Sequence, residues 1–294
     1  MENKRKIAFC FSGQARTFNK TYPYFKKNLF DSAKEQWFDY DIFCAVEDDE
    51  DLEKINIMNP TLIEKIKSSN VKKMIEEKYW KILKQNWKKY YYYDSILYPI
   101  INWIQQFYKI YIVNKIKNQY SIKSNIKYDM VVRVRFDTIF INKINFIEIF
   151  KNIKKWIILN KIDFHKICDH FAFGTNKDMD VYCSLFNNFW KLLLNNKINF
   201  KKKIILKIEY IISLPIIILQ KIWFRKKTME YFLCKIRFNK LDKYIYIFTH
   251  ERIMYENIIK QNINLEYTNI SFIITRTKSE ESILKLYNKT KYEL

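Results

Sequence analysis

The chain has 294 residues, enough to bury a full core, and its apolar fraction of 49% excludes a disordered chain. The formal charge is +22, and with only 2 glycines and 4 prolines a Gly/Ser-rich linker is excluded as well. No stretch reaches the ~20 apolar residues of a membrane span; the nearest, 204–219, is interrupted by Lys207, Glu209 and Pro215.

Taken in order, Ile7 to Phe11 reads as a buried first strand that ends at Ser12-Gly13, and Phe18 to Ala33 as a helix with Leu29 and Phe30 on its inner face. Tyr40 to Val46 reads as a second strand, running into the acids Glu47 to Asp51. Strand, helix, strand over about 40 residues predicts a βαβ unit. Residues 52–127 read as mostly helical, with Leu62, Ile63 and Ile66 on one short face and a longer amphipathic pattern from Ser95 to Lys117. The aromatic run Tyr90 to Tyr93 reads as a packing patch.

Met130 to Phe136 is the clearest strand. Alternation places Val132, Val134 and Phe136 on one face and Arg133, Arg135 and Asp137 on the other. Thr138 to Asn142 and Trp156 to Asn160 read as further strands, and Asp169 to Gly174 as a strand or turn leading into a helix from Met179 to Leu194. Residues 195–245 are basic and Ile-rich, consistent with a helical insertion within a single domain of residues 1–294. A helix from His250 to Gln261 and closing strands at Leu265 to Tyr267 and Phe272 to Thr275 complete the reading.

The five cysteines are odd in number and form no CxxC pair, which argues for free thiols in a reducing compartment. No secretion signal is visible, so the expected location is cytoplasmic, with the basic surface able to rest on the inner face of a membrane. The charge invites a phosphate-bearing partner. The lysines are scattered, however, and without a compact arginine block nucleic acid is a poor expectation.

Four constellations can carry chemistry. Ser12-Gly13-Gln14-Ala15-Arg16-Thr17 lies where a strand hands over to a helix. There a glycine lets a ligand approach the backbone, and a helix start with an arginine favours phosphate. It is neither GxGxxG nor a P-loop. In the second, Arg133 and Arg135 can grip a diphosphate while Asp137 holds a bridging divalent cation; the competing reading is an Arg–Asp pair that satisfies itself. In the third, His165 to Gly174, zinc held by His165, Cys168 and His170 lacks a fourth ligand, and the better reading presents Asp169 to a polar substrate. The fourth is His250-Glu251, a favourable first-turn acid or a group projecting into a cleft.

In this order, Ile7-Ala-Phe-Cys-Phe-Ser-Gly-Gln-Ala-Arg-Thr17, Tyr128-Asp…Val-Arg-Val-Arg-Phe-Asp137, Asp169-His-Phe-Ala-Phe-Gly174…Met179…Tyr182 and His250-Glu251-Arg…Tyr255 resemble a group of glycosyltransferase-like proteins of bacterial surface-polysaccharide loci and large viruses. The similarity covers about 1–50, 125–190 and 248–276. It implies an α/β, GT-A-like (nucleotide-diphospho-sugar transferase) mixed sheet flanked by helices. It also implies that Gly13, Gln14 and Arg16 face a nucleotide-sugar donor, to which the residue reading adds Ser12, Arg133 and Arg135. Asp137 then resembles the second acid of a DxD metal motif for manganese or magnesium, with Arg135 where the first acid would stand; an arginine there can neutralise the diphosphate by itself. Asp169 is the implied general base or sugar-hydroxyl ligand, and Glu251 a second. The acceptor would be a surface glycan or a lipid-linked sugar. The alternative, from composition alone, is a non-catalytic basic protein that binds nucleic acid or anionic membrane.

Overall fold

A computed structural model describes residues 4–48, 52–75, 77, 100–153, 157–160, 170–189, 258, 265–268, 270 and 272–274. The run of apolar residues after Lys6 forms β1 (Arg5–Gly13), buried from Ile7 to Ser12. The helix that follows comes in three joined pieces: α1 (Phe18–Phe25), a π turn (Lys26–Phe30) and α2 (Asp31–Glu35). Pro23 lies inside α1 and cannot donate a backbone hydrogen bond, so the ladder is already interrupted one turn before the π segment. Leu29 and Phe30 are buried, as their spacing predicts.

Next come β2 (Phe38–Glu47), the single turn α3 (Leu52–Ile55), β3 (Leu62–Ile66) and a helix α4 over 68–75. The strand β3 corrects the sequence reading, which placed Leu62, Ile63 and Ile66 on a helix. The i, i+1, i+4 spacing fits one helical face, but five residues are too few to separate that from an edge strand. The long helix α5 (Ile100–Lys123) follows, then β4 (Met130–Arg135), β5 (Thr138–Phe140) and α6 (Phe146–Ile153). The remaining elements are β6 (Ile157–Asn160), β7 (Phe171–Gly174), α7 (Asn176–Cys183), β8 (Leu265–Thr268) and β9 (Phe272–Ile274). The predicted helix of 179–194 thus starts earlier, capped by Thr175, whose hydroxyl accepts from the Asp178 N–H.

Seven strands form one sheet in the order β3-β2-β1-β4-β7-β6-β8, and β5 pairs with β9 in a separate ribbon. β3, β2, β1 and β4 run parallel; β7 is antiparallel to both β4 and β6, and β6 is parallel to β8. The expected α/β architecture, a mixed sheet flanked by helices, is the one observed.

Both faces of the sheet are buried. On one, Phe9, Phe11, Val132, Val134 and Phe136 pack under α1, α2 and α6. Ring pairs such as Phe11–Phe25 at 5.1 Å and Phe9–Phe30 at 5.4 Å meet edge to face, the arrangement aromatic quadrupoles favour. On the other face, Ala8, Cys10, Phe43 and Val131 pack under α5 and α7. Alternation along β4 therefore falls as predicted. The predicted insertion at 195–245, the run Tyr90–Tyr93 and the site residues Asp169 and Glu251 lie outside the described residues.

Candidate functional site

Parallel pairing brings the carboxyl ends of four strands to one edge. Ser12 lies between Ala45 of β2 and Arg135 of β4, Gly13 is opposite Val46, and Glu47 is opposite Ile66 of β3. The antiparallel β7 enters at the same edge, where the His170 carbonyl accepts the Arg135 N–H at 3.0 Å. Three of the four sequence constellations thus meet here through residues described in the structure: 12–17, Arg133 to Asp137, and His170 beside Asp169.

Gly13 has φ +129°, a backbone angle L-residues rarely adopt, and a Cβ placed there would meet no atom within 4 Å. The glycine therefore serves the turn and leaves open space before the end of β1. Arg16 is exposed in that turn. The helix α1 begins with no acid in its first turn and no side-chain cap hydrogen bond from Thr17. The Phe18 and Lys20 N–H groups bond the Ala15 and Thr17 carbonyls, each at 2.9 Å, so the attraction for an anion here comes from the positive end of α1 and the exposed Arg16 guanidinium.

The β4 row divides by depth. Arg135 and Asp137 form a two-point pair, Nε to Oδ1 at 3.0 Å and Nη2 to Oδ2 at 2.8 Å. Arg133, two residues below, is 0% exposed, and none of its three guanidinium nitrogens has a hydrogen-bond partner. The Ser12 hydroxyl, beside Arg135 in register, is likewise buried without a partner, as is that of Thr138.

Glu47 is the acid of this edge, and sequence reasoning did not assign it to the site. Its carboxylate accepts from Lys109 of α5, from Ser68 at 2.9 Å and from Gln14 at 3.0 Å. Burial works against its charge, but the Lys109 ammonium and the three hydrogen bonds outweigh it and hold the carboxyl below its ordinary range. Two signals could have found it: its place at the end of β2, and a lysine on the apolar face of α5. Gln14, expected to face a ligand, is exposed and tied to Glu47.

Toward the opposite edge, Lys117 is 0% exposed and donates to Asn176, with Asp180 at 3.5 Å. Asn114 and Asn118 each donate to the same Asp180 oxygen at 2.7 Å. Burial pushes the nearby Cys10 thiol up to about 12, although Lys117 pulls the other way. Burial raises Cys183 as well. A cleft of about 570 Å³ opens at that edge, lined among others by Tyr128, Asp129, Phe150, Asn176 and Asp180.

Both Asp137 oxygens are engaged by Arg135, and among the described residues no three His, Cys, Asp or Glu side chains cluster. Among the same residues, no helix is long and apolar enough to cross a membrane.

A family model described as "Domain of unknown function (DUF7796)" matches residues 2–204. Among solved structures, the chain is similar to the apo form of the glycosyltransferase GlyE of Streptococcus pneumoniae TIGR4, at 9% identity and a TM-score of 0.31, covering 90% of this chain and 66% of that one. A second structure of GlyE from the same organism is similar at 11% identity and a TM-score of 0.32, covering 98% of this chain and 64% of that one. The chain thus spans about two thirds of the length of the solved chains it matches. No curated protein sequence matches it.

Proposed function

The chain belongs to the family described as "Domain of unknown function (DUF7796)", and we propose that it is a glycosyltransferase that takes a nucleotide-sugar at the carboxyl edge of its sheet. The observation that carries this reading is Arg133, a fully buried guanidinium with no hydrogen-bond partner, directly below the Ser12–Arg135 register pair. A buried charge without a counter-charge is costly, and in a low-dielectric interior its field reaches the strand ends above it. A diphosphate seated before Gly13 would offset that cost. Arg16 and Arg135 would then contact the phosphate oxygens directly.

In the transfer, the acceptor oxygen forms a bond to the sugar's anomeric carbon while the bond from that carbon to the phosphate oxygen breaks. The nucleoside diphosphate leaves with the electron pair, and the arginines meet the negative charge that develops on it. The acceptor's proton passes to a carboxylate, for which Asp169 is the choice and Glu251 the second. The acceptor proposed is a surface glycan or a lipid-linked sugar. A divalent cation at Asp137 would require the Arg135–Asp137 pair to open.

The test is release of nucleoside diphosphate from a panel of nucleotide-sugars, with and without manganese, by wild type, Arg135→Gln and Asp137→Ala. One donor is expected to turn over without manganese, with kcat/KM about 100-fold lower in Arg135→Gln. Turnover that requires manganese and is lost in Asp137→Ala would assign the diphosphate to a cation instead.

A further inference from the structure

The edge of the sheet opposite the nucleotide site carries a conflict of its own. Trp37, in the turn between α2 and β2, is 76% exposed and has φ +64°. The left-handed region costs a non-glycine residue about 1 kcal/mol or more. Asparagine tolerates it best, and the other two non-glycine residues with positive φ among the described residues are Asn59 and Asn125. At position 37 the chain instead places its largest apolar side chain, in strained backbone, in solvent.

The surroundings say what would cover it. Ile147 of α6 is 44% exposed and is tied to the same turn, its N–H donating to the Gln36 side-chain oxygen at 3.0 Å. The Lys4 ammonium sits 5.8 Å from the Trp37 ring centre, and Arg5 lies over Phe150 at 4.3 Å. Lys4, Arg5, Lys34 and Lys151 are all exposed here. Glu35 is neutralised by Lys143 at 2.6 Å, leaving Asp39, Asp129 and Glu148 as the exposed acids of this edge. An indole with an aliphatic neighbour inside a ring of lysine and arginine is the chemistry of a membrane–water interface. There the ring sits at headgroup depth and the cations meet anionic lipid.

We propose that the Trp37 turn, with Ile147 and the flanking cations, docks this protein on an anionic bilayer surface. The nucleotide edge then faces away from the membrane into solution. The inference does not depend on the transferase reading, because it uses none of that site's residues.

Flotation with vesicles tests it, comparing phosphatidylglycerol–phosphatidylcholine mixtures with phosphatidylcholine alone. The wild type is expected to bind the anionic vesicles and to be released by high salt. Trp37→Asn is expected to bind at least about fivefold more weakly, with a thermal midpoint equal to or above wild type, since asparagine relieves the backbone. Three results would overturn the proposal: no binding by wild type, equal binding to neutral vesicles, or unchanged binding by Trp37→Asn. The first would point the exposed turn toward a protein partner, and the last would make the attraction one of overall charge.

Discussion

Arg133 poses a problem that packing does not solve. Every neighbour that register assigns to it, Cys10 on β1 and Ala172 on β7, is small and uncharged. Replacing an uncompensated buried guanidinium by an apolar chain of similar length removes a penalty, so Arg133→Met should stabilise the fold by about 1–3 kcal/mol in denaturant melts while weakening nucleotide binding at least about tenfold. A loss of stability instead would mean that the guanidinium has a structural partner. Reactivity gives a second check at this scale. With Cys10 pushed up to about 12 by burial, and Cys44 and Cys183 also raised by burial, all three thiols should stay unmodified by maleimide at neutral pH until the protein unfolds, as peptide mapping would show. Much of the candidate site was legible residue by residue, because Gly13, Arg16, Arg133, Arg135 and Asp137 announce themselves by type and alternation. Glu47 and Lys109 were not, because their meaning comes from contact between β2 and α5, 62 residues apart.

Among the elements, legibility followed length and period. Met130 to Phe136 alternates cleanly, and β4 forms as predicted, ending at Arg135 where the chain turns. The strand β3 was misread because an edge strand of five residues carries too little pattern. The pairs that join elements give two expectations. Glu47 ties β2 to α5 and α4 through Lys109 and Ser68. Its carboxyl titrates lower in the folded chain than in the unfolded one. It therefore adds stability that is complete above the ordinary glutamate range and is lost as pH falls through the lowered value. Glu47→Gln should destabilise by about 1–2 kcal/mol at neutral pH, with a difference that shrinks on acidification. Asp180 joins α7 to α5 through Asn114, Asn118 and the buried Lys117. Asp180→Ala leaves that ammonium short of its counter-charge and should cost about 2 kcal/mol in urea melts.

For the whole molecule, the sheet order separates two kinds of surface. The carboxyl edge of β1, β2 and β4 collects Gly13, Arg16, Glu47 and Arg135, while the amino edge collects Trp37, Lys4 and Arg5. Pattern predicted the α/β class because the βαβ start and the central strand are periodic. It could not predict that β7 would run antiparallel between β4 and β6, because that depends on a return of the chain through residues with no short-range signal. The central claim is that this carboxyl edge binds a nucleoside diphosphate, and calorimetric titration of wild type and Arg133→Met with UDP, GDP, ADP and CDP, each without metal, tests it most directly. The account predicts that one diphosphate saturates a single site on the wild type and binds Arg133→Met at least about tenfold more weakly, although the variant is more stable. Failure of all four to bind the wild type, or binding that Arg133→Met leaves unchanged, would contradict it.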